Sequence, residues 1–126
     1  MKSVNIKHIS NLHTDALRGL DFYEQELNIL QERLEEIAGK NSAHEVLAEV
    51  EHFQNQFIIH RNEFISLRHA LRQNQKKIGT EVLHLAGFAD TCDIENNESL
   101  YEQYLEEEKL FGEMRHEFNR FAAKWM

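Results

Sequence analysis

The most constraining feature of this sequence is the regular spacing of its apolar residues. Between His13 and Ile37, the positions suited to a core recur in steps that alternate between three and four residues. The same alternation is found from Val46 onward and again from Leu100 onward. This is the heptad pattern of α-helices that pack along a shared seam, whereas a half-buried β-strand would show a period of two. The pattern therefore predicts an all-α protein whose helices pack side by side.

These seams predict three helices. We expect helix 1 over residues 12–38, helix 2 over 43–89 and helix 3 over 99–125, preceded by an N-terminal arm over 1–10. The seam positions are His13, Ala16, Leu20, Tyr23, Leu27, Leu30, Leu34 and Ile37 in helix 1; Val46, Val50, Phe53, Phe57, His60, Phe64, Leu67 and Leu71 in helix 2; and Leu100, Tyr104, Glu107, Phe111, Met114, Phe118, Phe121 and Trp125 in helix 3.

Short turns connect the helices and set their directions. Gly39 is expected to end helix 1, because glycine adopts the left-handed conformation without strain. Ser42 and Glu45 match an S-x-x-E capping box at the start of helix 2. A loop this short returns the chain antiparallel, so we predict a single domain, 1–126, folded as an antiparallel three-helix bundle or coiled coil with one long central helix. A break near Gly79 would instead give an irregular four-helix bundle.

Helix 2 is predicted to be longer than its neighbours. Helix 1 should cover its first half and helix 3 its second half, so that all three overlap only near Arg61–Leu71. Apolar residues that lie off the seams need a further surface to pack against, and we therefore expect a homodimer or a higher homo-oligomer. A helical protein partner would use the same surfaces. These off-seam residues are Phe22, Ile29, Ile58, Ile59, Ile65 and Leu105.

Composition narrows the classes of partner. The formal net charge of −8 repels the phosphate backbone, so nucleic acid is not an expected partner. No stretch approaches the ~18 consecutive apolar residues of a membrane span, and the N-terminus lacks the apolar core of a signal peptide. Because Cys92 is the only cysteine, no intrachain disulfide can form. The sequence predicts a cytoplasmic protein that binds neither membrane nor nucleic acid.

Three polar residues occupy seam positions that helix packing would bury: His60, Glu81 and Glu107. Matching the helix ends across the second loop places Glu107 nearly level with Glu81. Two carboxylates in one buried layer would share a proton or bind a cation. The alternative is a polar layer that fixes register or partner number and performs no chemistry.

The tetrapeptide Glu-x-x-His occurs three times, beginning at Glu49, Glu81 and Glu113. It places a carboxylate and an imidazole on one helical face, and it resembles the ligand motif of the di-iron four-helix bundles. In the heptad frame only Glu81 faces inward. The candidate ligands for a divalent or transition metal are therefore Glu81, His84 and Glu107.

Nucleophilic catalysis has little support in the sequence. There is no Gly-rich phosphate loop and no G-x-S-x-G motif, and Asp93 beside Cys92 disfavours a reactive thiolate. We therefore predict no catalytic residues and no cofactor. The first hypothesis is a non-enzymatic structural or protein-interaction bundle that self-associates. The alternative is a metal-binding helical bundle with carboxylate and histidine ligands.

Overall fold

A computed structural model of the protein consists of three α-helices. Helix α1 spans Lys2–Lys40, α2 spans His44–Leu85 and α3 spans Thr91–Trp125. The structure describes the backbone of residues 2–85 and 91–126, and the side chains of residues 8, 10–77 and 99–126. Within these ranges every element is helical and each helix contacts the other two, which confirms the all-α class and the three-helix bundle.

Cross-helix contacts give the directions of the helices. Rising residue numbers on α2 meet falling numbers on α1 and on α3, so α2 is antiparallel to both neighbours, and α1 and α3 run parallel. The pairs that show this are Asn28–Arg61 and Asp21–Arg68 between α1 and α2, Phe121–Phe53 and Phe111–Phe64 between α3 and α2, and Tyr23–Glu108 and Glu26–Arg115 between α1 and α3.

The buried core coincides with the predicted seams. From His13 to Ile37 on α1 and from Val46 to Leu71 on α2, every seam position is buried except Tyr23, which is half-buried, and on α3 only Leu100 and Trp125 are half-buried. Further along the α2 seam, Asn74 is half-buried and the side chain of Glu81 lies outside the described residues. Burying a Leu or Phe side chain contributes roughly 1.5–3 kcal/mol relative to leaving it exposed. Most of the stability of these helices therefore comes from the packed seam and not from helix propensity.

Two helices begin earlier than the sequence analysis expected. Residues 2–10, predicted as an arm, are the start of α1, and this stretch contains no Pro or Gly to stop a helix. Helix α3 begins at Thr91 and not near 99. The Asp and Asn residues between positions 90 and 97 favour a turn, but each costs a helix interior at most about 0.7 kcal/mol relative to Ala. The rest of a long helix offsets this cost.

Helix α2 runs without a break past Gly79, so the irregular four-helix alternative is wrong. A single glycine costs a helix interior only about 1 kcal/mol, too little to interrupt a long helix. The predicted end of helix 2 at residue 89 lies outside the described residues.

The register between α2 and α3 also differs from the expectation. The rings of Phe53 and Phe121 lie with centroids 5.0 Å apart. Helix α3 therefore reaches well beyond the overlap expected near Arg61–Leu71. Helix α3 begins at Thr91 and not near residue 99. Each α3 residue therefore lies beside a lower-numbered residue of α2 than the sequence predicts. The three helices consequently share one core along most of the described length.

Helix α1 continues through Gly39 to Lys40, so the expectation that Gly39 ends this helix is wrong. The turn that follows is closed by a side chain. The Asn41 amide donates to the carbonyl of Ile37 at 2.8 Å, which satisfies one of the free carbonyls at the end of α1. The expected capping box is absent among these described residues: Ser42 and Glu45 are both exposed and share no hydrogen bond. Helix α2 begins one residue later than the box requires.

Candidate functional site

One contact in the core joins two polar side chains, His60 of α2 and Glu107 of α3. They are only 5% and 6% exposed, and Nδ1 of His60 forms a hydrogen bond with Oε1 of Glu107. The His60 ring also stands edge-on to Phe111, with centroids 5.6 Å apart at an angle of 79°. The pair gives each buried polar group a partner, and it can form at only one register of α3 against α2.

The heptad spacing predicts that both residues are buried, but it also predicts that Glu107 lies level with Glu81. In the structure Glu107 faces His60, which is about 20 positions before Glu81 on the continuous helix α2, or about 30 Å along its axis. The side chains of Glu81 and His84 lie outside the described residues. The proposed metal site of Glu81, His84 and Glu107 therefore stays a prediction.

Among the described side chains, no group of three or more His, Cys, Asp or Glu residues is arranged to hold a metal ion. The Glu-x-x-His copies that begin at Glu49 and Glu113 lie on the exposed surface, as the heptad frame predicted. The pair of His60 and Glu107 offers two ligand groups that are already bonded to each other, whereas a structural zinc site takes four ligands. This geometry suits a register contact better than a metal centre.

A second polar cluster joins α1 to α3. The hydroxyls of Tyr23 and Tyr104 both donate to Oε2 of Glu108, at 2.8 Å and 2.9 Å. Burial, together with this hydrogen bond, raises the pKa of Tyr23 to about 12 and raises the pKa of Tyr104 well above its ordinary value. A Cβ added at Gly19 would come within 2.8 Å of the Tyr104 ring carbon Cζ, so glycine lets α1 and this ring approach closely.

The sequence analysis missed this cluster. Tyr104 and Glu108 are four residues apart and therefore share a helical face, which is a readable signal. The contribution of Tyr23 depends on the register of α1 against α3, and no local pattern encodes that register.

Ion pairs occupy both edges of α1. On the α2 side Arg68 bonds to Asp21 at 3.0 Å and also to Glu24. On the α3 side Nη1 of Arg115 donates to both carboxylate oxygens of Glu26, at 2.7 Å and 2.6 Å. Partly exposed pairs of this kind contribute at most about 1 kcal/mol each. Their second effect is to neutralise charges next to the apolar surfaces described below.

Large apolar side chains remain exposed off the seams, as the sequence predicted. All six predicted residues are between 43% and 58% exposed, and Leu47 and Leu110 add to them. Several lie next to a layer in which each helix contributes one aromatic ring: Tyr23, Phe64 and Phe111, with centroids 5.4 to 6.5 Å apart. Phe22, Ile65 and Leu110 each directly precede or follow one of these three rings along the chain.

Three of these residues form what we call the α1/α3 face: Phe22, Ile29 and Leu105. Phe22 and Ile29 lie one helical turn before and after Glu26, which accepts hydrogen bonds from Arg115 of α3. Leu105 lies one turn before Glu108, which bonds to α1. All three side chains therefore project near the edge where α1 and α3 meet.

A groove runs along the surface between α2 and α3. Two adjoining cavities, of about 320 and 270 Å³, share Ile59 and Leu110, which are 58% and 43% exposed. A third cavity of about 370 Å³ continues beyond Glu117 toward the end of α3. We call these three cavities together the α2/α3 groove.

Comparison with known proteins gives no relative. No protein-family model matches the chain, and no curated protein or solved structure matches it. In the described residues, no helix has both the length and the apolar character needed to cross a membrane.

Proposed function

We propose that this chain is a non-enzymatic interaction protein, a cytoplasmic helical rod that self-associates through its α1/α3 face. The observation that supports this most directly is the joint exposure of Phe22, Ile29 and Leu105 on one side of the rod. Exposed apolar clusters with polar borders are typical of protein-binding surfaces. Covering one such side chain contributes roughly 1.5–3 kcal/mol.

Charge favours a second copy of the chain as the occupant of this face. The net charge of −8 opposes close approach of two copies over most of their surface. On the α1/α3 face the neighbouring charges of Glu26 and Arg115 are already paired within one chain. In a twofold contact through this face, the pair of Glu26 and Arg115 would therefore add no net charge beside the apolar side chains.

The buried polar pair supports a structural role for the core. His60 and Glu107 are bonded to each other and almost fully buried. A general acid or base has to reach the proton that it transfers, and these two groups, although they border the α2/α3 groove, are almost fully buried and hydrogen-bonded to each other.

The mass of the protein in solution tests the proposal. Light scattering on the order of 50 µM should give a multiple of the 14.9 kDa chain mass. The variant Phe22→Glu/Leu105→Glu should be monomeric, because it places four carboxylates in a twofold contact. The control Ile58→Glu/Ile65→Glu makes equivalent exposed changes away from this face and should leave the mass unchanged. A wild-type monomer under these conditions would refute self-association.

A further inference from the structure

We infer that the α2/α3 groove binds a basic amphipathic helix of another protein. This inference rests on the proposed interaction role and names the kind of partner. The exposed Ile59 of α2 and Leu110 of α3 and the buried Met114 form the apolar part of the groove, whose floor also includes the buried pair of His60 and Glu107. A groove between two antiparallel helices is the surface on which a further helix packs in a bundle.

The walls of the groove determine the charge of the partner. Glu63, Glu106, Glu113 and Glu117 line the two cavities that share Ile59. None of these four carboxylates makes an ion pair with a described residue. No lysine or arginine is among the described residues lining this part. Lys or Arg side chains on a docked helix would supply the missing countercharges, and their aliphatic stems would cover the floor.

The same charges disfavour the other classes of occupant. A second copy of this chain carries a net charge of −8, and anionic lipid headgroups and nucleic acid are negative as well. Each of these would meet a row of unpaired carboxylates. An unstructured acidic segment would meet the same repulsion.

The ends of the groove give it a length and a direction. It extends along α2 from Glu63 to Glu49, about 14 residues or about 20 Å, which matches a helix of about four turns. Beyond Glu117 the charges of the lining are mixed, because Arg120 and Lys124 border the last cavity together with Glu49 and Glu117. The partner helix is therefore basic along most of its length and has no excess charge in the turn that lies beside this last cavity.

Fluorescence anisotropy with a labelled synthetic peptide tests the inference. The probe is a helix of about four turns with Leu at every third or fourth position, Lys on both flanks and uncharged Gln in one terminal turn. It should bind one per chain. A peptide with the same composition and scrambled Leu positions should bind at least about tenfold more weakly. A peptide with Glu in place of Lys should not bind.

Variants of the chain locate the binding site. Ile59→Ser/Leu110→Ser and Glu106→Gln/Glu113→Gln should each weaken binding by about tenfold or more. Their controls are Phe22→Ser/Leu105→Ser, which removes similar exposed apolar side chains from the α1/α3 face, and Glu32→Gln/Glu36→Gln, which removes two exposed carboxylates from α1. Both controls should stay within about twofold of wild type. Equal binding of the scrambled peptide, or unchanged binding by the groove variants, would overturn the inference.

The two proposals fail in different ways. Peptide that does not bind to a chain that is oligomeric in solution refutes the groove and leaves self-association intact. A wild-type monomer that binds the peptide refutes self-association and leaves the groove intact. Added salt separates them further: it should weaken peptide binding between opposite charges and strengthen association between copies of like net charge.

Discussion

His60 and Glu107 show how an apolar seam can hold polar side chains. Each residue loses almost all contact with water on folding. A buried polar group without a partner costs about 1–3 kcal/mol, and each residue of the pair offsets this cost for the other. The pair therefore stabilises one register of the helices more clearly than it stabilises the folded state as a whole.

Replacing one residue of this pair should destabilise the fold more than replacing both. Glu107→Leu should lower the free energy of unfolding by about 1–3 kcal/mol, because His60 stays buried without its acceptor. In His60→Leu/Glu107→Leu, stability should return to within about 1 kcal/mol of wild type or exceed it. Urea unfolding of the single and double variants measures this coupling. A Glu107→Leu variant as stable as wild type would show that the contact between His60 and Glu107 does not contribute to stability.

At the scale of whole helices, α1 and α3 are held in register by Glu108. Its carboxylate accepts hydrogen bonds from a tyrosine on each helix. Only a neutral tyrosine can donate to this carboxylate, and an ionised one would be repelled by it. The contact between the two parallel helices therefore depends on the protonation of Tyr23 and Tyr104.

Alkaline pH should weaken this contact. The pKa of Tyr23 is raised to about 12 in the folded chain, and the pKa of Tyr104 is raised as well, against about 10 for an unfolded tyrosine. Their contribution is complete below pH 10 and is lost as the pH rises toward 12, because only the unfolded chain releases these protons there. Urea midpoints between about pH 8 and pH 12 should fall less steeply for Tyr23→Phe/Tyr104→Phe than for wild type. Parallel curves would contradict this.

At the scale of the whole molecule, one aromatic layer ties the three helices together. Tyr23, Phe64 and Phe111 come from different helices, and their rings form mutual contacts. Phe64 is 1% exposed, whereas Phe22, one residue before this layer on α1, is 58% exposed. The two phenylalanines therefore form a matched pair for testing the core.

Phe64→Ala should destabilise the fold by about 3–5 kcal/mol, because it leaves a cavity where the three helices meet. Phe22→Ala should change the free energy of unfolding by less than about 0.5 kcal/mol, because water already reaches this ring. Thermal unfolding at concentrations low enough to keep the chain monomeric compares the two without interference from association. Similar effects of the two substitutions would contradict the placement of the core.

The spacing of the seams was sufficient to predict the fold class, the number of helices, the residues of the core and the off-seam residues that stay exposed. Helical periodicity is a local property, so a linear pattern of three and four contains it. The start of α3 was not predictable in the same way. Asp and Asn are common in turns but cost a helix little, and the packing of α3 decides between the two outcomes.

What the tertiary structure alone decided was the register between helices. The seams predicted that His60, Glu107 and Tyr23 would face the core, but only packing showed that His60 meets Glu107 and that Tyr23 meets Glu108. An early start of α3 moves every α3 residue to a different level of α2, and no local signal carries that information. The same packing places the exposed apolar side chains of the α2/α3 groove beside its unpaired carboxylates, because a groove between helices exists only once their relative positions are set.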